Sequence, residues 1–473
     1  MDAQVKHLQG GLGVTENAIK SDCSDLYGAV NIDVSMGDSR TVIYPVSNWQ
    51  PGSDGPYEFT IDKRSSRYII GPLCKMFVQL KVTRKDGSDL QLTDKVSCVN
   101  LMATSLFKTV EMSTNANEIT DLQASHYNYK CYYENTVGFG VDARNSVLDR
   151  IGMCMDDAGE FDDVGADAIV GVAGVAATNT APEVKEVKAV ARLDSENTGF
   201  NTRMIWIGLT QVKQFMTPLH QDLFQQTRAI GPDFPFTLRF TRECDAFLLL
   251  SPHPNADYKV VIEKLELHMH QVDFCDPIIK QHDAALLRGL NMNYPFNRTI
   301  VKAFPINPNT KAIDIENMFD GILPKTLVIG MLETSAFQGH YKKNPYRFQH
   351  FGLVQAYITY DEIMIPAIPY KPNFPENMYM HMFSDFFDNT GSSGDVGNVI
   401  SYKMYKDGCC LSAYDRNPEK CNNYHHHPNR VGRVSMHYML KDGFKEPITV
   451  MAFATFPSVT TIDVKQQVRV IMK

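Results

Sequence analysis

The sequence has no excess of positive charge, because its 46 Lys and Arg residues are outnumbered by 54 Asp and Glu residues, for a formal net charge of −8. Residues 1–39 contain only two bases, Lys6 and Lys20. Proteins that coat nucleic acid place many Lys and Arg side chains opposite the phosphates. We therefore expect no direct sequence-specific binding of nucleic acid by this chain.

Long apolar runs are also missing. The run of small apolar residues at 168–177 is far shorter than the roughly 20 residues that a bilayer-spanning helix needs. The first residues do not have the pattern of a signal peptide. Most of the ten cysteines stand singly in apolar sequence, where a free thiol acts as a small hydrophobic side chain. We expect synthesis in a reducing compartment, without signal peptide or transmembrane segment.

Signatures of catalysis are missing as well. The sequence has no G-x-S-x-G nucleophile motif and no phosphate-binding P-loop. Adjacent acids such as Asp361 and Glu362 would point to opposite faces of a strand, which does not suit an acid/base pair. We expect that the chain is not an enzyme, and that it has no catalytic residues and no cofactor.

Two clusters contain residue types that bind metals. His268 and His270 would share one face of a strand, but no Glu follows them to complete a metal site of the cupin type. The other cluster offers thiols and imidazoles, but its cysteine spacing matches no zinc ribbon. A polar loop between strands is the simpler interpretation. The metal-ligand candidates of this cluster are Cys409, Cys410, Cys421, His425 and His427.

Short strand-like runs separated by turn residues make up most of the chain, which favours sandwiches or barrels over βαβ units. At 473 residues the chain exceeds what one core usually supports, so two domains are expected. We predict an all-β protein with short helical insertions, near residues 122–134, 313–319 and 376–387. The predicted parts are an N-terminal arm (1–40), a first β-domain (41–275), a connecting helix (276–297) and a second β-domain (298–473).

The stretch of residues 294–374 is the most informative, and its centre reads LPKTLVIGMLETSAFQGHYKKNPYRFQHF. Residues 325–332 within it form a nearly continuous apolar run, as in a strand that is buried on both faces. Further blocks precede and follow it in a fixed order. They are GPYEFTI, FVQLKVTRKDGSDL, VNLMATSLFKTVEMSTN, DLFQQ, FTLRFTRECDAFLL and PITVMAFATFPSVTTIDVKQQVRV.

Together these blocks resemble the major capsid protein of Polinton (Maverick) elements and adinto-like viruses, a family with uncharacterised relatives in cellular genomes. The resemblance covers most of residues 42–470. It implies two tandem antiparallel jelly-roll barrels, a double jelly roll. It also implies a homotrimer that forms a pseudo-hexameric capsomer of an icosahedral virion capsid, with separate penton and minor capsid proteins as partners. An internal membrane is left open.

The polar loop at residues 341–348 is predicted to join subunits, because Tyr and Arg are enriched among residues that dominate binding energy and Pro fixes the path of the chain. The candidates for this contact are Tyr341, Asn344, Pro345, Tyr346, Arg347 and Phe348.

Two regions, 156–201 and 388–430, match the family poorly and are expected to be loops particular to this protein. Residues 156–167 contain six acids and no base, which is typical of a solvated surface loop. The other interpretation of this acidic run is an outer projection that contacts a host or a minor protein.

Three alternatives to a virion protein stay open at the level of sequence. A relative retained by a host genome as an assembly or binding protein would have the same sequence features. A jelly-roll metalloenzyme would need the metal-ligand candidates to bind. A glycan-binding attachment protein would need an exposed aromatic platform, and the chain has only two Trp residues, Trp49 and Trp206.

Overall fold

The computed structural model of the protein describes most of the chain. It covers residues 35–47, 49–50, 52–62, 67–91, 93–114, 117–118, 126–165, 169–173, 190–193, 195–253, 256–319, 321–394, 397–417, 430–463 and 468–471.

Strands dominate both halves of the chain. Those of the first half are β1 (Met36–Pro45), β2 (Tyr57–Ile61), β3 (Arg67–Ile69), β4 (Lys75–Arg84), β5 (Ser97–Cys98), β6 (Phe107–Thr114), β7 (Asn117–Glu118), β8 (Ile169–Ala173), β9 (Val190–Leu193), β10 (Lys213–Pro218), β11 (Phe236–Arg242), β12 (Leu249–Leu250) and β13 (Tyr258–Phe274). Those of the second half are β14 (Met292–Ile306), β15 (Ala312–Ile315), β16 (Thr326–Glu333), β17 (Leu353–Tyr360), β18 (Ile363–Tyr370), β19 (Leu411–Asp415), β20 (Val434–Leu440), β21 (Ile448–Ile462) and β22 (Val468–Ile471).

The first half forms two main antiparallel sheets with the strand orders β1-β13-β4-β10 and β2-β11-β6-β7. Strand β3 also pairs with β13, and β5 with β12 and β8 with β9 form two-stranded sheets. If these eight strands are numbered one to eight along the chain, the sheets read 1-8-3-6 and 2-7-4-5. Two four-stranded antiparallel sheets with long crossing connections form a jelly roll. The predicted all-β fold is therefore confirmed in the first half.

The second half repeats the same plan. Its two antiparallel sheets have the orders β14-β21-β16-β19 and β15-β20-β17-β18. Numbered along the chain, these eight strands again read 1-8-3-6 and 2-7-4-5. Two copies of one strand order in a single chain make the fold a double jelly roll.

Alternating side chains place the core between the sheets of each barrel. Strand β4 reads KMFVQLKVTR, and its Met, Val and Leu side chains are buried while the residues between them are partly exposed. Strand β16 differs, because its residues from Leu327 to Leu332 are all buried. This confirms the prediction of a strand that is buried on both faces, and it means that the sheet containing β16 is covered on its outer side.

Helices lie mainly between strands. They are α1 (Met102–Ser105), α2 (Tyr127–Val137), α3 (Val141–Arg144), α4 (Thr198–Ile207), α5 (Asp245–Leu248), α6 (Asp276–Leu287), α7 (Thr334–Gln338), α8 (Met380–Thr390) and α9 (Tyr402–Lys406). Short 3-10 turns are formed by Gly71–Leu73, Asp149–Ile151, Gly208–Thr210 and Asp222–Phe224. Both α2 and α8 follow the fifth strand of their barrel and precede the sixth, so the helical insertion is repeated as well.

The structure corrects two local predictions. The helical turn predicted at residues 313–319 is absent there, because Ala312–Ile315 forms strand β15, which pairs with β20. Regions 156–201 and 388–430 were both predicted to be loops particular to this protein. The first contains β8, β9 and the start of α4, and the second contains the sixth strand of the second barrel, β19. The predicted domain bounds stay predictions, although β1 starts at Met36 and β14 at Met292, within segments predicted to be arm and connector.

None of the helices among the described residues combines the length and the apolar character needed to cross a bilayer.

Candidate functional site at the interface between the two barrels

The loop predicted to join subunits lies between the two barrels of one chain. Asn344, Tyr346 and Phe348 have no exposed surface, and Pro345 is buried. These four side chains are therefore not available to a second subunit in the folded chain. Tyr341 and Arg347 keep partial exposure, so their role between subunits stays a prediction. We call the contact between the halves the inter-barrel interface. Its main part consists of residues 105, 126–137, 154–163 and 243–251 of the first half with residues 337–348, 392, 407–410 and 453 of the second.

Tyr346 fills an aromatic pocket made by the first half. Its ring lies parallel to that of Tyr132, with 4.4 Å between centroids and 2° between planes. The rings of Tyr129 and Phe247 meet it edge-on, at 5.6 Å and 6.0 Å. Its hydroxyl forms a hydrogen bond of 2.6 Å with the Ser105 hydroxyl. Offset-stacked and edge-to-face contacts are the favoured arrangements of aromatic pairs, so this ring fixes one barrel against the other.

Asn344 connects the second half to a buried ion pair of the first. Its side-chain amide donates a hydrogen bond of 2.8 Å to Asp156, and its backbone N–H donates one of 2.7 Å to Asp162. Asp156 also accepts hydrogen bonds from Asn197 and from the guanidinium of Arg203. The buried carboxylate of Asp156 thus accepts hydrogen bonds from three side chains, as a buried charge requires.

Arg203 is fully buried, and α4 places it under the acidic loop. Its guanidinium also donates to the carbonyl oxygens of Cys98 and Cys154. Burial by itself lowers the pKa of an arginine, but the adjacent carboxylate of Asp156 outweighs burial here, and the pKa of Arg203 is raised. The guanidinium of Arg203 therefore stays charged inside the protein.

A second ion pair of the interface is formed by Arg347 and Asp162. Burial raises the pKa of the Asp162 carboxyl, and the guanidinium of Arg347 opposes that rise only in part. The Tyr129 hydroxyl donates to the carbonyl oxygen of Pro345, at 3.1 Å. The Ser251 N–H donates to the carbonyl oxygen of Tyr341, at 2.7 Å. Every residue predicted for the subunit contact except Phe348 thus has a polar link to the first half.

Phe348 contributes through packing. Its ring lies 6.0 Å from that of Tyr132 and 6.3 Å from that of Phe453 on β21. Phe453 in turn stacks on Tyr133 of α2, at 5.1 Å. Helix α2 therefore covers the outer face of the β14-β21-β16-β19 sheet, which explains why β16 is buried on both faces.

Gly408 is required where the acidic loop meets the second barrel. Its φ angle is +148°, and a Cβ atom built there would lie 2.3 Å from the ring of Phe161. The neighbouring N–H of Gly159 donates a hydrogen bond of 2.8 Å to the carbonyl oxygen of Asp407. Only a residue without a side chain allows this close approach.

The acidic run at residues 156–167 was predicted to be a solvated surface loop, and the structure corrects this prediction for its described part. Asp156 and Phe161 are only 1% and 2% exposed. Asp156 and Asp162 bind partners in both halves, whereas Asp157, Glu160 and Asp163 keep partial exposure. The sequence analysis did not identify Asp156, Asp162 and Arg203, because each lies far along the chain from its ionic partner. The only signal in the sequence was the run of acids without adjacent bases.

Of the five metal-ligand candidates, two are buried and three lie outside the described residues. Cys409 and Cys410 lie in the core, and burial raises the pKa of the Cys409 thiol to about 12, which disfavours the thiolate that binds zinc. Cys421, His425 and His427 lie outside the described residues. His268 lies 3.6 Å from Glu266 and 6.0 Å from the Phe77 ring. Among the described residues, no group of three or more His, Cys, Asp or Glu side chains is placed to hold a metal ion.

Comparison of the sequence with known proteins finds a distant relative but no family. No protein-family model matches the sequence. An uncharacterised protein of Caenorhabditis elegans is 20% identical over 377 residues, which span 77% of this chain and 81% of that protein.

Solved structures of viral capsids are similar over nearly the whole chain. The structure of the Sputnik virophage matches with a TM-score of 0.57 and 9% identity, covering 97% of this chain and 93% of the other. The Faustovirus major capsid protein matches with a TM-score of 0.54 and 11% identity, covering 97% and 96%. The capsid of PBCV-1 virus matches with a TM-score of 0.54 and 10% identity, covering 94% and 99%. These similarities show the double jelly-roll fold.

Proposed function

We propose that this double jelly-roll chain is a structural major capsid protein, and that three copies form a pseudo-hexameric capsomer of an icosahedral shell. The observation that carries the proposal is the repeat of one strand order, 1-8-3-6 and 2-7-4-5, in both halves of the chain. A trimer of such chains presents six similar barrels around its axis. Six similar barrels can occupy a hexagonal position of a capsid lattice. The duplication therefore supports a role as the repeating unit of such a lattice.

The inter-barrel interface supports the same proposal. A tile must keep its two barrels in one relative orientation, since rotation between them would change the outline of the trimer. The stacked pair of Tyr132 and Tyr346 and the buried link of Asn344 to Asp156 fix that orientation. The role of the loop at residues 341–348 is then to hold each tile in shape.

Contacts between copies need another surface, and strand β18 offers one. It is an edge strand that pairs with β17 alone among the described residues. Ile363 and Ile368 on it are 67% and 74% exposed. An exposed apolar surface of this kind is usually covered in the functional state. We propose that a neighbouring copy covers this edge. Obligate interfaces of this kind bury about 2,000 Å² or more in total.

The assignment to one type of capsid rests on the order of the sequence blocks that resemble the Polinton family. We propose a capsid of the Polinton or adinto-like type, with separate penton and minor proteins at its vertices, and a location in the virion. The similarity of the fold to the Sputnik, Faustovirus and PBCV-1 capsids supports a capsid role in general.

Light scattering of the purified chain during size-exclusion chromatography tests the proposal. A trimer has three times the mass of the 53.3 kDa chain. A chain that stays monomeric at every concentration would contradict it. Genes for a packaging ATPase and a maturation protease beside this one would distinguish an active element from a copy retained by a host.

A further inference from the structure

A short sequence motif in helix α2 is repeated in helix α8. Residues 132–136 of α2 read Tyr-Tyr-Glu-Asn-Thr, and residues 386–390 of α8 read Phe-Phe-Asp-Asn-Thr. Both threonine hydroxyls donate to the carbonyl oxygen four residues earlier, at 2.6 Å for Thr136 and 2.7 Å for Thr390. Each helix also lies between the fifth and sixth strands of its barrel. The two helices are therefore equivalent elements of the repeated fold, and the motif aligns them residue by residue.

Helix α2 contacts the second barrel with one of its sides. The ring of His126, immediately before the helix, lies 5.2 Å from the ring of Phe337. Tyr133 stacks on Phe453 of β21, with 5.1 Å between centroids. Positions seven apart lie on the same side of a helix, so His126 and Tyr133 mark the side of α2 that meets the other barrel.

The corresponding side of α8 is open. The motif aligns Met380 with His126 and Phe387 with Tyr133. Met380 is 59% exposed, Phe387 is partly exposed, and Ser384 between them is exposed as well. We call these three residues of α8 the α8 stripe. In the part of the chain that the structure describes, the stripe lacks the cover that the second barrel gives to the same side of α2.

The surface that α2 covers has an equivalent in the first barrel. Helix α2 lies on the outer face of the β14-β21-β16-β19 sheet, where the third strand of the barrel, β16, is buried on both faces. In the first barrel the third strand is β4. Its side chains on the outer face keep partial exposure; they are Lys75, Phe77, Gln79 and Lys81. Within the described ranges, the outer face of the β1-β13-β4-β10 sheet is thus more open than its counterpart.

This outer face carries apolar side chains among polar ones. Phe77 pairs with Met216 of β10, and both are partly exposed. Ile43 of β1 is 51% exposed and pairs with His268 of β13, whose ring lies 6.0 Å from that of Phe77. A methionine adapts to an irregular surface and makes favourable contacts with aromatic rings. The α8 stripe therefore suits this face in its chemistry.

We propose that α8 of one copy packs, through the α8 stripe, on the outer face of the β1-β13-β4-β10 sheet of a second copy. The contact repeats between chains what α2 does within one chain. It is heterologous, with the helix of one copy on the sheet of the next, and three such contacts close a ring. This proposal rests on the proposed function, because it names the surfaces through which the copies of the capsomer meet.

The exposed edge strand β18 belongs to the same side of the second barrel. The hydroxyl of Tyr370, the last residue of β18, donates a hydrogen bond of 2.7 Å to Asp385 of α8. A neighbour that packs on α8 is therefore also close to β18.

Photo-crosslinking in the full-length protein tests this contact. A benzophenone amino acid replaces Met380, and light scattering compares the mass of the variant with that of the natural protein. Denaturing electrophoresis then separates crosslinks between chains, which give the mass of two chains, from crosslinks within one chain. We expect the two-chain product to contain a tryptic peptide of the outer face. The candidates are residues 41–63, 76–81 and 265–280.

Met439 is the matched control position for the probe. It is 49% exposed on β20, the seventh strand of the second barrel. On the seventh strand of the first barrel, β11, Arg239 remains 50% exposed although that barrel contacts the second one through α2. This side of a barrel thus lies outside the inter-barrel interface. A probe at Met439 should not capture the three peptides, and equal capture from Met439 and Met380 would contradict the proposed contact.

The crosslinks distinguish failure of this contact from failure of the proposed function. A trimer whose crosslinks from position 380 reach only other peptides, or only the same chain, would overturn the contact and leave the capsomer intact. Loss of the trimer in the probe variant alone would support a contact between copies at Met380. A natural protein that stays monomeric would contradict both proposals together.

Substitutions on the two opposed surfaces test their pairing. Met380→Glu and Ile43→Glu each place a charge at an exposed position, so the fold should persist, but the charge must lose its water when the contact forms. We expect each variant to raise the concentration at which half of the trimer dissociates by roughly tenfold or more. Met439→Glu should leave that concentration unchanged. An effect of Met380→Glu without an effect of Ile43→Glu would contradict the assigned sheet.

A mixture of the two variants tests the head-to-tail arrangement. The helix of an Ile43→Glu chain and the sheet of a Met380→Glu chain are both unaltered, so one intact contact can form between them. Light scattering of the mixture should show complexes of two chains at concentrations at which either variant alone is monomeric. Absence of such complexes would overturn the proposed pairing.

Discussion

The ring of Tyr346 lies flat on the ring of Tyr132, with 4.4 Å between their centroids, although 213 residues separate them along the chain and they belong to different barrels. Both rings are buried, and burial raises the pKa of each hydroxyl. The pair therefore remains uncharged and apolar in character. Because it lies between the barrels, its energy contributes to their relative orientation as well as to the stability of the chain.

Replacement of Tyr346 by alanine should destabilise the chain strongly. A large buried aromatic ring is lost, for which the usual cost is roughly 3–5 kcal/mol, and the Ser105 hydroxyl loses its partner. Tyr346→Phe keeps the ring and removes only the hydroxyl, so about 1 kcal/mol is expected. Urea unfolding measures both. Equal stability of the two variants would show that the ring does not pack as described.

Arg203→Ala should also cost about 3–5 kcal/mol in the free energy of unfolding, since it leaves the Asp156 carboxylate buried without its counter-charge. Arg239→Ala is the matched control, because Arg239 pairs with Glu58 and Glu111 on the surface and is 50% exposed. Exposed pairs of this kind contribute at most about 1 kcal/mol. A similar loss in both variants would contradict a buried, paired role for Arg203.

The sequence predicted the fold class but not the order of the strands within each sheet. Short strand-like runs separated by turn residues indicated sandwiches or barrels, and the resemblance supplied the duplication. Strand β18 gives little strand signal in the sequence because Pro366 and Pro369 lie within it, and proline is tolerated in a strand mainly at an edge.

The inter-barrel interface could not be predicted, because its partners are far apart in sequence. Asn344 and Asp156 lie 188 positions apart in the sequence, and nothing in either local pattern indicates the other. Tyr346 and Arg347 have the composition of a binding loop, and the structure shows that they bind the other half of their own chain. Composition alone does not distinguish contacts within a chain from contacts between chains.

Stability should fall on acidification because of His126. This residue lies at the start of α2, 5.2 Å from the ring of Phe337 in the second barrel. Burial, helped by nearby Lys108, lowers its pKa from 6.5 to about 4. Below pH 6.5 the unfolded chain binds a proton that the folded chain does not, so stability decreases from there down to about pH 4. The loss is at most roughly 3 kcal/mol.

The variant His126→Asn isolates this contribution. Asparagine does not titrate and tolerates the positive φ of 75° at this position. Thermal unfolding followed between pH 6.5 and about 4 should show a smaller decrease in the variant than in the natural protein. Parallel decreases would mean that other groups cause the acid sensitivity.

Association of copies should depend on the edge strand β18. Ile363→Glu with Ile368→Glu places charges on the exposed edge, where burial against a neighbour would then require their desolvation. We expect the trimer to dissociate at concentrations that leave the natural protein intact, with an unchanged unfolding midpoint of the monomer. Val147→Glu, at a 45% exposed residue of the first half, is the control and should leave the mass unchanged.

Negative-stain electron microscopy of the purified chain tests the central claim most directly. The account predicts particles with a near-hexagonal outline, each made of three chains and six barrels, and sheets or closed shells of such particles at higher concentration. Single two-lobed particles at every concentration would contradict it.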